Sequence, residues 1–311
     1  MSQVGKLKKF KQLIIMKKVL IIALCFLATG LHAQTKTLKV ISYNIWNGFD
    51  FRKDLERKND VIEWLADQKP DVVALQELCG YNEESLIEDA QKWGHNYVII
   101  LKDKCHSVGL TSVNPVVLKE RVIEDLWHGM LHCETFGIDF FVVHLSPKDR
   151  NFRVKESKII ISKINSIKNK SFMVLGDFNS HSPFDADTDL DNPDILKNVR
   201  VSDLNNKKYN NLIGNEFDYS VMASFIANPL IDVTQRFVKT DERFTYPAKA
   251  NLGAYKSNVE LDKNRRRIDF IMVSPEMAKK CKNSSVYNDE EIALFSDHYP
   301  VMAEFELNLR L

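Results

Sequence analysis

The chain has 311 residues, of which 44% are hydrophobic and 27% are charged, and its formal net charge is +1. This composition is typical of a soluble globular protein with a substantial core, and it excludes a disordered chain. No internal repeat or low-complexity linker is found, so a single domain over residues 34–311 is predicted.

The N-terminus has the features of a secretory signal peptide. Lys17 and Lys18 precede a short apolar run, and small residues lie near Ala33. The run is too short to span a bilayer. We therefore predict that residues 1–33 are upstream sequence and a signal peptide, with Met16 as an alternative start. The mature protein is then expected to be secreted or periplasmic.

Removal of the signal peptide changes the charge balance. Residues 1–33 contain six lysines and no acidic residue, so their loss takes the formal net charge from +1 to −5. An acidic mature chain argues against tight, non-specific binding of DNA, which usually needs a basic surface. A weakly binding nuclease is still allowed, because the run Arg265, Arg266 and Arg267 is locally basic, although such runs are more often solvated.

Hydrophobic periodicity predicts both strands and helices in the first half of the mature chain. A β-rich run covers 38–45, and residues 53–68 place apolar side chains on one face of a helix that ends before Pro70. The apolar segment 71–76 is short enough to be a buried strand. A second helix is predicted at 83–92, strands at 96–101, 109–112 and 115–118, and an antiparallel pair at 129–136 and 138–144.

The second half contains a basic amphipathic helix at 149–168 and an apolar run at 171–179. Two further apolar runs lie at 267–274 and 296–307, and the polar region 181–262 is predicted to form loops with short helices. Strands and helices are mixed without strict alternation, and several strands are apolar on both faces. This pattern favours two packed sheets covered by helices, an α/β arrangement.

Four cysteines remain in the mature chain: Cys79, Cys105, Cys133 and Cys281. An even number in an exported protein permits disulfides, but the spacings match no zinc pattern and a chain of this size does not need cross-links. Buried free thiols are therefore expected. His128 is expected in a hairpin or the core, with a substrate-facing position as the alternative. Phe225, Phe237 and Phe244 are expected in the core.

Polar residues follow apolar runs at several places along the chain. Each has an ordinary explanation when taken alone, such as a turn or a helix cap. Their joint occurrence favours a site, because side chains at the ends of buried strands are presented on loops where sites form. These residues are Asn44, Glu77, His144, Asp177, Asn179, Asp269, Asp297 and His298.

These residue types suit the hydrolysis of a phosphate ester. Such an ester resists attack because its oxygens are negative, so a catalyst supplies positive charge, orients a water and accepts its proton. Mg²⁺ prefers oxygen ligands, which Glu77 and Asn44 offer. A carboxylate beside a histidine fixes its tautomer and raises its pKa toward neutrality, a description that Asp269 and His298 fit.

Six motifs occur in order along the mature chain: SYNI (42–45), LQE (75–77), HLSP (144–147), GDFNS (176–180), RIDFI (267–271) and SDHYPV (296–301). In this order they resemble the motif series of the endonuclease/exonuclease/phosphatase superfamily, the DNase I-like Mg-dependent phosphoesterases. The resemblance covers nearly the whole mature chain. It implies a four-layer αββα sandwich of two mixed or antiparallel sheets flanked by helices, and a hydrolase that uses Mg²⁺, with Mn²⁺ as an alternative.

The resemblance also implies roles for the metal-binding and water-orienting residues. Asn44 and Glu77, aided by Asp297, would bind the metal. Asp177 would orient the attacking water or assist the leaving group, and Asn179 would hold Asp177 and the phosphate.

Three further residues would handle protons and the phosphate. His298 with Asp269 would act as the base or as a phosphate-binding pair. His144 would donate to the phosphate or to the departing oxygen.

Departures from the motif series narrow the substrate. Repair endonucleases of the superfamily usually have an Asp where this chain has Trp46. His144 replaces their tyrosine, as in the branch of pancreatic deoxyribonuclease and the sphingomyelinases. Ser180 and His181 do not fit the inositol-phosphatase pattern. Abasic-site repair and inositol phosphatase activity are therefore disfavoured.

An exported phosphodiesterase or phosphatase is the leading prediction. Its substrate would be a phosphate ester of a nucleic acid, a metabolite or a lipid headgroup, and the protein is expected to be a monomer without a stable protein partner. The first alternative is a sphingomyelinase-like hydrolase, which needs an exposed apolar hairpin that the sequence does not clearly show. The second is a binding protein that has lost catalysis, although the metal and base positions are all present.

Overall fold

The computed structural model describes residues 35–308, and the predicted signal peptide lies outside the described residues. Residues 37–306 form one compact unit by their contacts. Within residues 35–308, no helix has the length and apolar character needed to cross a membrane.

Two six-stranded sheets and a two-stranded ribbon make up the β-structure of the described residues. The strands are β1 (Thr35–Asn44), β2 (Val72–Gln76), β3 (Tyr97–Ile100), β4 (Gly109–Ser112), β5 (Val117–Val122), β6 (Met130–Thr135), β7 (Ile138–His144), β8 (Phe172–Asp177), β9 (Leu212–Ile213), β10 (Glu216–Phe217), β11 (Ile231–Asp232), β12 (Asp269–Val273), β13 (Cys281–Val286) and β14 (Val301–Asn308).

Both large sheets are mixed, with a parallel pair at the centre. The first has the order β13-β14-β1-β2-β4-β3 and the second the order β11-β12-β8-β7-β6-β5. β1 runs parallel to β2, and β7 runs parallel to β8. The carboxyl ends of each parallel pair therefore lie side by side at one edge of their sheet.

The helices differ in length, and the long ones flank the sheets. Asp54 caps the first by accepting a hydrogen bond from the N–H of Arg57, and the helix ends before Pro70, as predicted. The helices are α1 (Leu55–Gln68), α2 (Glu83–Ala90), α3 (Arg150–Ser166), α4 (Ala186–Asp191), α5 (Pro193–Asn205), α6 (Ser220–Ala227), α7 (Thr234–Phe237), α8 (Asn258–Asp262) and α9 (Pro275–Lys280).

Two apolar clusters hold helices against the outer faces of the sheets. The first packs Val61 and Leu65 of α1 against the β1 and β2 strands. The second packs Ile160 of α3 and Phe225 of α6 against β7, β8 and β12. The sheets face each other, because β2 contacts β7 and β8, and β4 contacts β6. The predicted four-layer αββα sandwich is confirmed.

The expectation of free thiols is wrong for two cysteines. Cys79 and Cys105 form a disulfide, whereas Cys133 is free and buried and Cys281 is free and half-buried. β2 and β4 are antiparallel, with Leu75 opposite Gly109. Cys79 lies three residues after the end of β2, and Cys105 lies four residues before the start of β4, so this pairing brings the two cysteines near each other. The pairing thus follows from a long-range register that the sequence spacing does not show.

Two further expectations about single residues are wrong. Arg267 is buried rather than solvated, because its guanidinium is ion-paired with Asp185 and Asp232 at 2.8 and 2.7 Å. Phe237 is 44% exposed rather than in the core, because α7 ends there on the surface. Phe225 is fully buried, as expected.

Candidate functional site

The carboxyl ends of the central strands bring the predicted residues together. In the first sheet, Asn44 at the end of β1 lies opposite Gln76, the residue before Glu77. In the second sheet, Asp177 at the end of β8 has His144 of β7 on one side and Asp269 of β12 on the other. Because the sheets pack face to face, these two edges form one site.

Asn44 connects the two sheets. Its Nδ2 donates to Glu77 Oε1 at 3.3 Å and to Asp177 Oδ2 at 3.2 Å. Its Oδ1 accepts the backbone N–H of Trp46 at 3.1 Å. Asn44 therefore holds the two carboxylates near each other. In this orientation its amide oxygen faces the backbone, so metal ligation by that oxygen would require a half-turn of the amide.

A left-handed turn fixes the other side of Glu77. The φ angles of Trp46–Arg52 are positive, and the N–H of Asn47 donates to Glu77 Oε2 at 2.7 Å. A Cβ at Gly48 would lie 2.2 Å from the carbonyl oxygen of Cys79, so only glycine fits there. The carboxylate of Glu77 is therefore held by hydrogen bonds to both oxygens.

Two histidines approach Asp177 from opposite sides. His144 Nε2 lies 3.4 Å and His298 Nε2 lies 3.9 Å from Asp177 Oδ2. The other ring nitrogen of His298, Nδ1, lies 2.9 Å from Asp269 Oδ2. Asp269 thus fixes the imidazole of His298 with Nε2 directed toward Asp177. The predicted pairing of Asp269 with His298 is present.

Asn179 organises the turn after β8. Its backbone N–H donates to Asp177 Oδ1 at 2.8 Å, and its Nδ2 donates to the carbonyl of Leu145 at 3.1 Å. Gly176 allows β8 to approach β7, because a Cβ there would lie 2.0 Å from the carbonyl oxygen of Val143. Asn179 therefore orients Asp177 and ties its turn to the segment after His144.

Asp297 reaches the same region through Ser296. The Ser296 hydroxyl donates to the carbonyl of Asn44 at 2.7 Å and lies 3.4 Å from Asp297 Oδ1. Burial raises the pKa of Asp297 to about 6; charged His298 opposes this rise, and Glu77 and Asp269 add to it. A single serine thus connects the last motif to the end of β1.

The model of the Endonuclease/Exonuclease/phosphatase family matches residues 41–298. The chain belongs to this family. Its members are metal-dependent phosphoesterases, so the protein is a metal-dependent phosphoric ester hydrolase, and the predicted membership is confirmed. A comparison with curated protein sequences finds no match.

Solved structures share the fold of this family member. An AP endonuclease from Archaeoglobus fulgidus is 18% identical with a TM-score of 0.61, over 86% of this chain and 99% of its own. A variant of the 3′ phosphatase NExo from Neisseria, bound to a product DNA hairpin, is 20% identical with a TM-score of 0.61. The match covers 87% of this chain and 100% of the NExo chain. D. rerio TDP2, complexed with single-strand DNA product, is 19% identical with a TM-score of 0.57. The match covers 87% of this chain and 99% of the TDP2 chain.

The electrostatics of the site suit a divalent cation. Burial and the carboxylate of Asp269 raise the pKa of Asp177. Burial alone would lower the pKa of His298. The carboxylates of Asp269, Asp297 and Asp177 raise it by more, so the net shift of the His298 pKa is upward. Within the described chain, Asp269 Oδ1 is buried without a hydrogen-bond partner. Buried carboxylates in excess of cations are stabilised by a metal ion.

Which residues would hold the metal follows from their donor atoms. Glu77, Asp177 and Asp297 supply carboxylate oxygens, the ligands that Mg²⁺ prefers. A second possible ligand group is formed by Asp177, Asp269 and His298. Each of these residues offers one ligand atom, and the three atoms lie within 4.8 Å of one another. The residues present therefore fit a divalent cation at this edge of the sandwich. The individual ligand set stays a prediction.

A cavity of about 810 Å³ opens at the site. Glu77, His144, Asp177, Asn179 and His298 line it, and Asp297 is at its wall. The sequence did not single out several other lining residues, because side chains from distant loops meet here. They include His106, Trp127, Lys148, Tyr209, Tyr246 and Tyr255, and Arg266 of the basic run noted in the sequence lines the cavity as well.

His128 is buried, but it belongs to the cavity rather than to a separate core. Its ring stacks on His144 with centroids 4.2 Å apart, and His106 lies 4.9 Å from it. Burial lowers the pKa of His128 to about 3, and the nearby His106, Lys102 and Lys148 lower it further. The sequence analysis did not single out His106, which follows the disulfide-bonded Cys105.

Proposed function

We propose that the protein is an exported hydrolase that uses Mg²⁺ to cleave a phosphodiester or phosphomonoester by attack of water. One observation carries the proposal: Asp177 lies between His144 and His298, and Asn44 joins it to Glu77. The carboxylates that could bind a metal and the imidazole held by Asp269 therefore lie close together. In-line attack of water on phosphorus requires both kinds of group next to the same phosphate.

Glu77 and the neighbouring carboxylates would hold a divalent cation, which would supply positive charge to the phosphate oxygens and lower the pKa of water. Asp177, whose Oδ1 is held by the N–H of Asn179, orients the attacking water and accepts its proton. His298, held through Nδ1 by Asp269, presents Nε2 to the phosphate. His144 donates a proton or hydrogen bond to the oxygen that leaves.

A nucleic acid is the substrate class that the structural neighbours support. The NExo structure is bound to a product DNA hairpin, and the TDP2 structure is complexed with single-strand DNA product. The acidic charge of the mature chain fits an enzyme that binds locally at its cavity rather than over a broad basic surface.

Export is supported by the basic and apolar segment that ends near Ala33. Expression of the full chain in a bacterial host, followed by N-terminal sequencing of protein from the periplasm and medium, tests it. A mature N-terminus at Gln34 is the expected result. Protein retained in the cytosol with residues 17–33 intact would contradict it.

Catalysis is tested with bis-p-nitrophenyl phosphate, a generic diester. We expect turnover that depends on Mg²⁺ and is abolished in Glu77→Ala and His298→Ala, because the first removes a metal carboxylate and the second removes the imidazole. Circular dichroism of both variants checks that they fold. Retained turnover in either folded variant would show that its residue has been assigned the wrong role.

A further inference from the structure

Two cations line the cavity without a carboxylate partner among residues 35–308. Lys148 Nζ lies 5.9 Å from the ring centroids of both Trp127 and Tyr209. The Arg266 guanidinium lies 4.7 Å from the ring centroid of Tyr246 and donates only to the carbonyl of Asn264. Each cation is therefore available to an anionic ligand, and each is next to an aromatic face.

The first cation is connected to the reaction centre by a row of rings. The ring centroids of Trp127 and His128 are 6.4 Å apart, and the ring of His128 stacks on that of His144 with centroids 4.2 Å apart. His144 in turn lies 3.4 Å from Asp177. Trp127 is 41% exposed, so part of its ring can contact a ligand. Lys148 and Trp127 form what we term the β7-side pair.

The second cation is connected to the same centre from the other direction. The ring centroids of Tyr246 and His298 are 4.9 Å apart. Nε2 of His298 lies 3.9 Å from Asp177 Oδ2. Arg266 then covers the ring of Tyr246. Arg266 and Tyr246 form what we term the β12-side pair.

The strand register shows that the two pairs lie on opposite sides of the reaction centre. β8, which ends at Asp177, is the middle strand, with His144 of β7 opposite it on one side and Asp269 of β12 on the other. His298 is bound to Asp269 and so belongs to the β12 side. A phosphate held at Asp177 therefore has one cation next to an aromatic ring in each direction, Lys148 with Trp127 on one side and Arg266 with Tyr246 on the other.

We propose, on the basis of the proposed function, that the β7-side and β12-side pairs are two subsites for a single-stranded nucleic acid whose scissile phosphodiester lies at Asp177. A cation for the backbone and an aromatic face for a base are the two elements with which proteins hold single strands. The enzyme then cleaves within a strand. A terminal phosphomonoester would occupy one subsite and leave the other without a ligand.

The shape of the cavity favours a single strand over a duplex. Its volume of about 810 Å³ is within the range of pockets that enclose a small ligand, and it is walled by α5, α8 and the loops that carry Tyr209 and Tyr255. An aromatic face is also accessible only to a base that is unstacked and unpaired. Paired bases of a duplex do not offer their faces in this way.

The test uses the mature protein with Mg²⁺ and a ten-nucleotide single strand labelled at both ends. Lys148→Ala and Arg266→Ala are each expected to lower kcat/KM, and each to reduce the slope of log(kcat/KM) against log salt by about 0.7, the value for one phosphate contact on a single strand. A purely structural role would leave the salt slope unchanged. Trp127→Ala is expected to lower kcat/KM at least about fivefold, and Trp127→Phe to restore most of it.

Matched controls remove the same charges elsewhere. Lys279 is exposed and ion-paired with Glu276, and Arg200 is half-buried and ion-paired with Glu216. Neither residue is itself part of the cavity lining. Lys279→Ala and Arg200→Ala are expected to leave both kcat/KM and the salt slope unchanged. Losses in Lys148→Ala and Arg266→Ala that do not exceed these controls would overturn the proposal.

The substrate series separates the outcomes. Faster cleavage of the single strand than of the same sequence in duplex, or than removal of its 3′-terminal phosphate, supports the two subsites. Equal or faster reaction with the duplex or the terminal phosphate overturns them. If bis-p-nitrophenyl phosphate and all nucleic acids remain intact in Mg²⁺, the proposed function itself has failed, which is a different result from a shifted preference.

Discussion

The Nδ1 atom of His298 lies 2.9 Å from Oδ2 of Asp269, although 29 positions separate the two residues in the sequence. Asp269 starts β12, and its N–H donates to Thr245 Oγ1. We predict that Asp269→Asn lowers kcat for bis-p-nitrophenyl phosphate by about 10²- to 10⁴-fold with a smaller effect on KM, because the imidazole loses its fixed tautomer. Steady-state kinetics in Mg²⁺ measure both constants.

A second histidine–carboxylate pair provides the control. His132 Nε2 lies 2.6 Å from Asp139 Oδ1, on the β6 and β7 strands and outside the cavity lining. Asp139→Asn makes the same chemical change there, and we expect it to leave kcat unchanged. If both variants lose activity to the same extent, the Asp269 effect reflects folding rather than the position of His298.

The carboxylate of Glu77 should determine metal affinity. In Glu77→Gln one negative charge is lost while the shape is kept, so we expect the Mg²⁺ concentration for half-maximal activity to rise at least about tenfold. Titration of activity with Mg²⁺ after treatment with EDTA measures the change. Glu83→Gln, at an exposed carboxylate paired with Arg121, should titrate like the unmodified protein. Identical midpoints for Glu77→Gln and Glu83→Gln would remove Glu77 from the metal site.

Local patterns predict the layers and the strand ends well. The helix at 55–68 has a regular apolar face and a Pro70 stop, and the strand at 72–76 is fully buried, so both are recognisable from neighbouring residues alone. Asn44, Glu77 and Asp177 follow such runs, and the parallel pairs at the centre of each sheet bring them together. The order of the motifs supplies the rest of the fold.

Contacts between distant segments are what the sequence could not show. The Cys79 and Cys105 disulfide depends on the register of β2 with β4, and the burial of Arg267 depends on Asp185, which is 82 residues away. The region 181–262 has weak periodicity, yet its loops provide Tyr209 and Tyr246 to the cavity. Such residues become recognisable only once the strands at the site have been placed.

The disulfide should stabilise the loop that carries Glu77. Cys79 is two residues after Glu77, and Cys105 precedes His106, whose N–H donates to Cys79 Sγ. We expect the double variant Cys79→Ser/Cys105→Ser to lose about 3 kcal/mol of unfolding free energy, the amount typical of a closed loop of this length. Urea unfolding with and without dithiothreitol measures the loss.

Cys281→Ser, which changes a free and half-buried cysteine, is the control for the disulfide. Its unfolding free energy should fall on reduction by the same amount as that of the unmodified protein. The double variant should not respond to dithiothreitol. If complete reduction leaves the unmodified protein as stable as before, the disulfide does not constrain the loop.

Stability on the acid side should depend on His128. Its pKa is lowered to about 3 in the folded protein, first by burial and then by His106, Lys102 and Lys148, whereas an unfolded histidine titrates near 6.5. The unfolded chain therefore binds the extra proton first as the pH falls. The stabilisation is fully present above pH 6.5 and is lost toward pH 3, at about 1.4 kcal/mol per pH unit.

His128→Phe keeps a ring stacked on His144 but cannot be protonated. Both proteins should lose unfolding free energy as the pH falls from 6.5 to 4.5. We expect the loss in His128→Phe to be smaller than the loss in the unmodified protein by about 2 to 3 kcal/mol. Urea unfolding at several pH values across this range gives both curves, and carboxylates that titrate there affect both proteins alike. Parallel curves would mean that His128 is protonated in the folded protein, and that the imidazole next to His144 is a cation rather than a neutral ring.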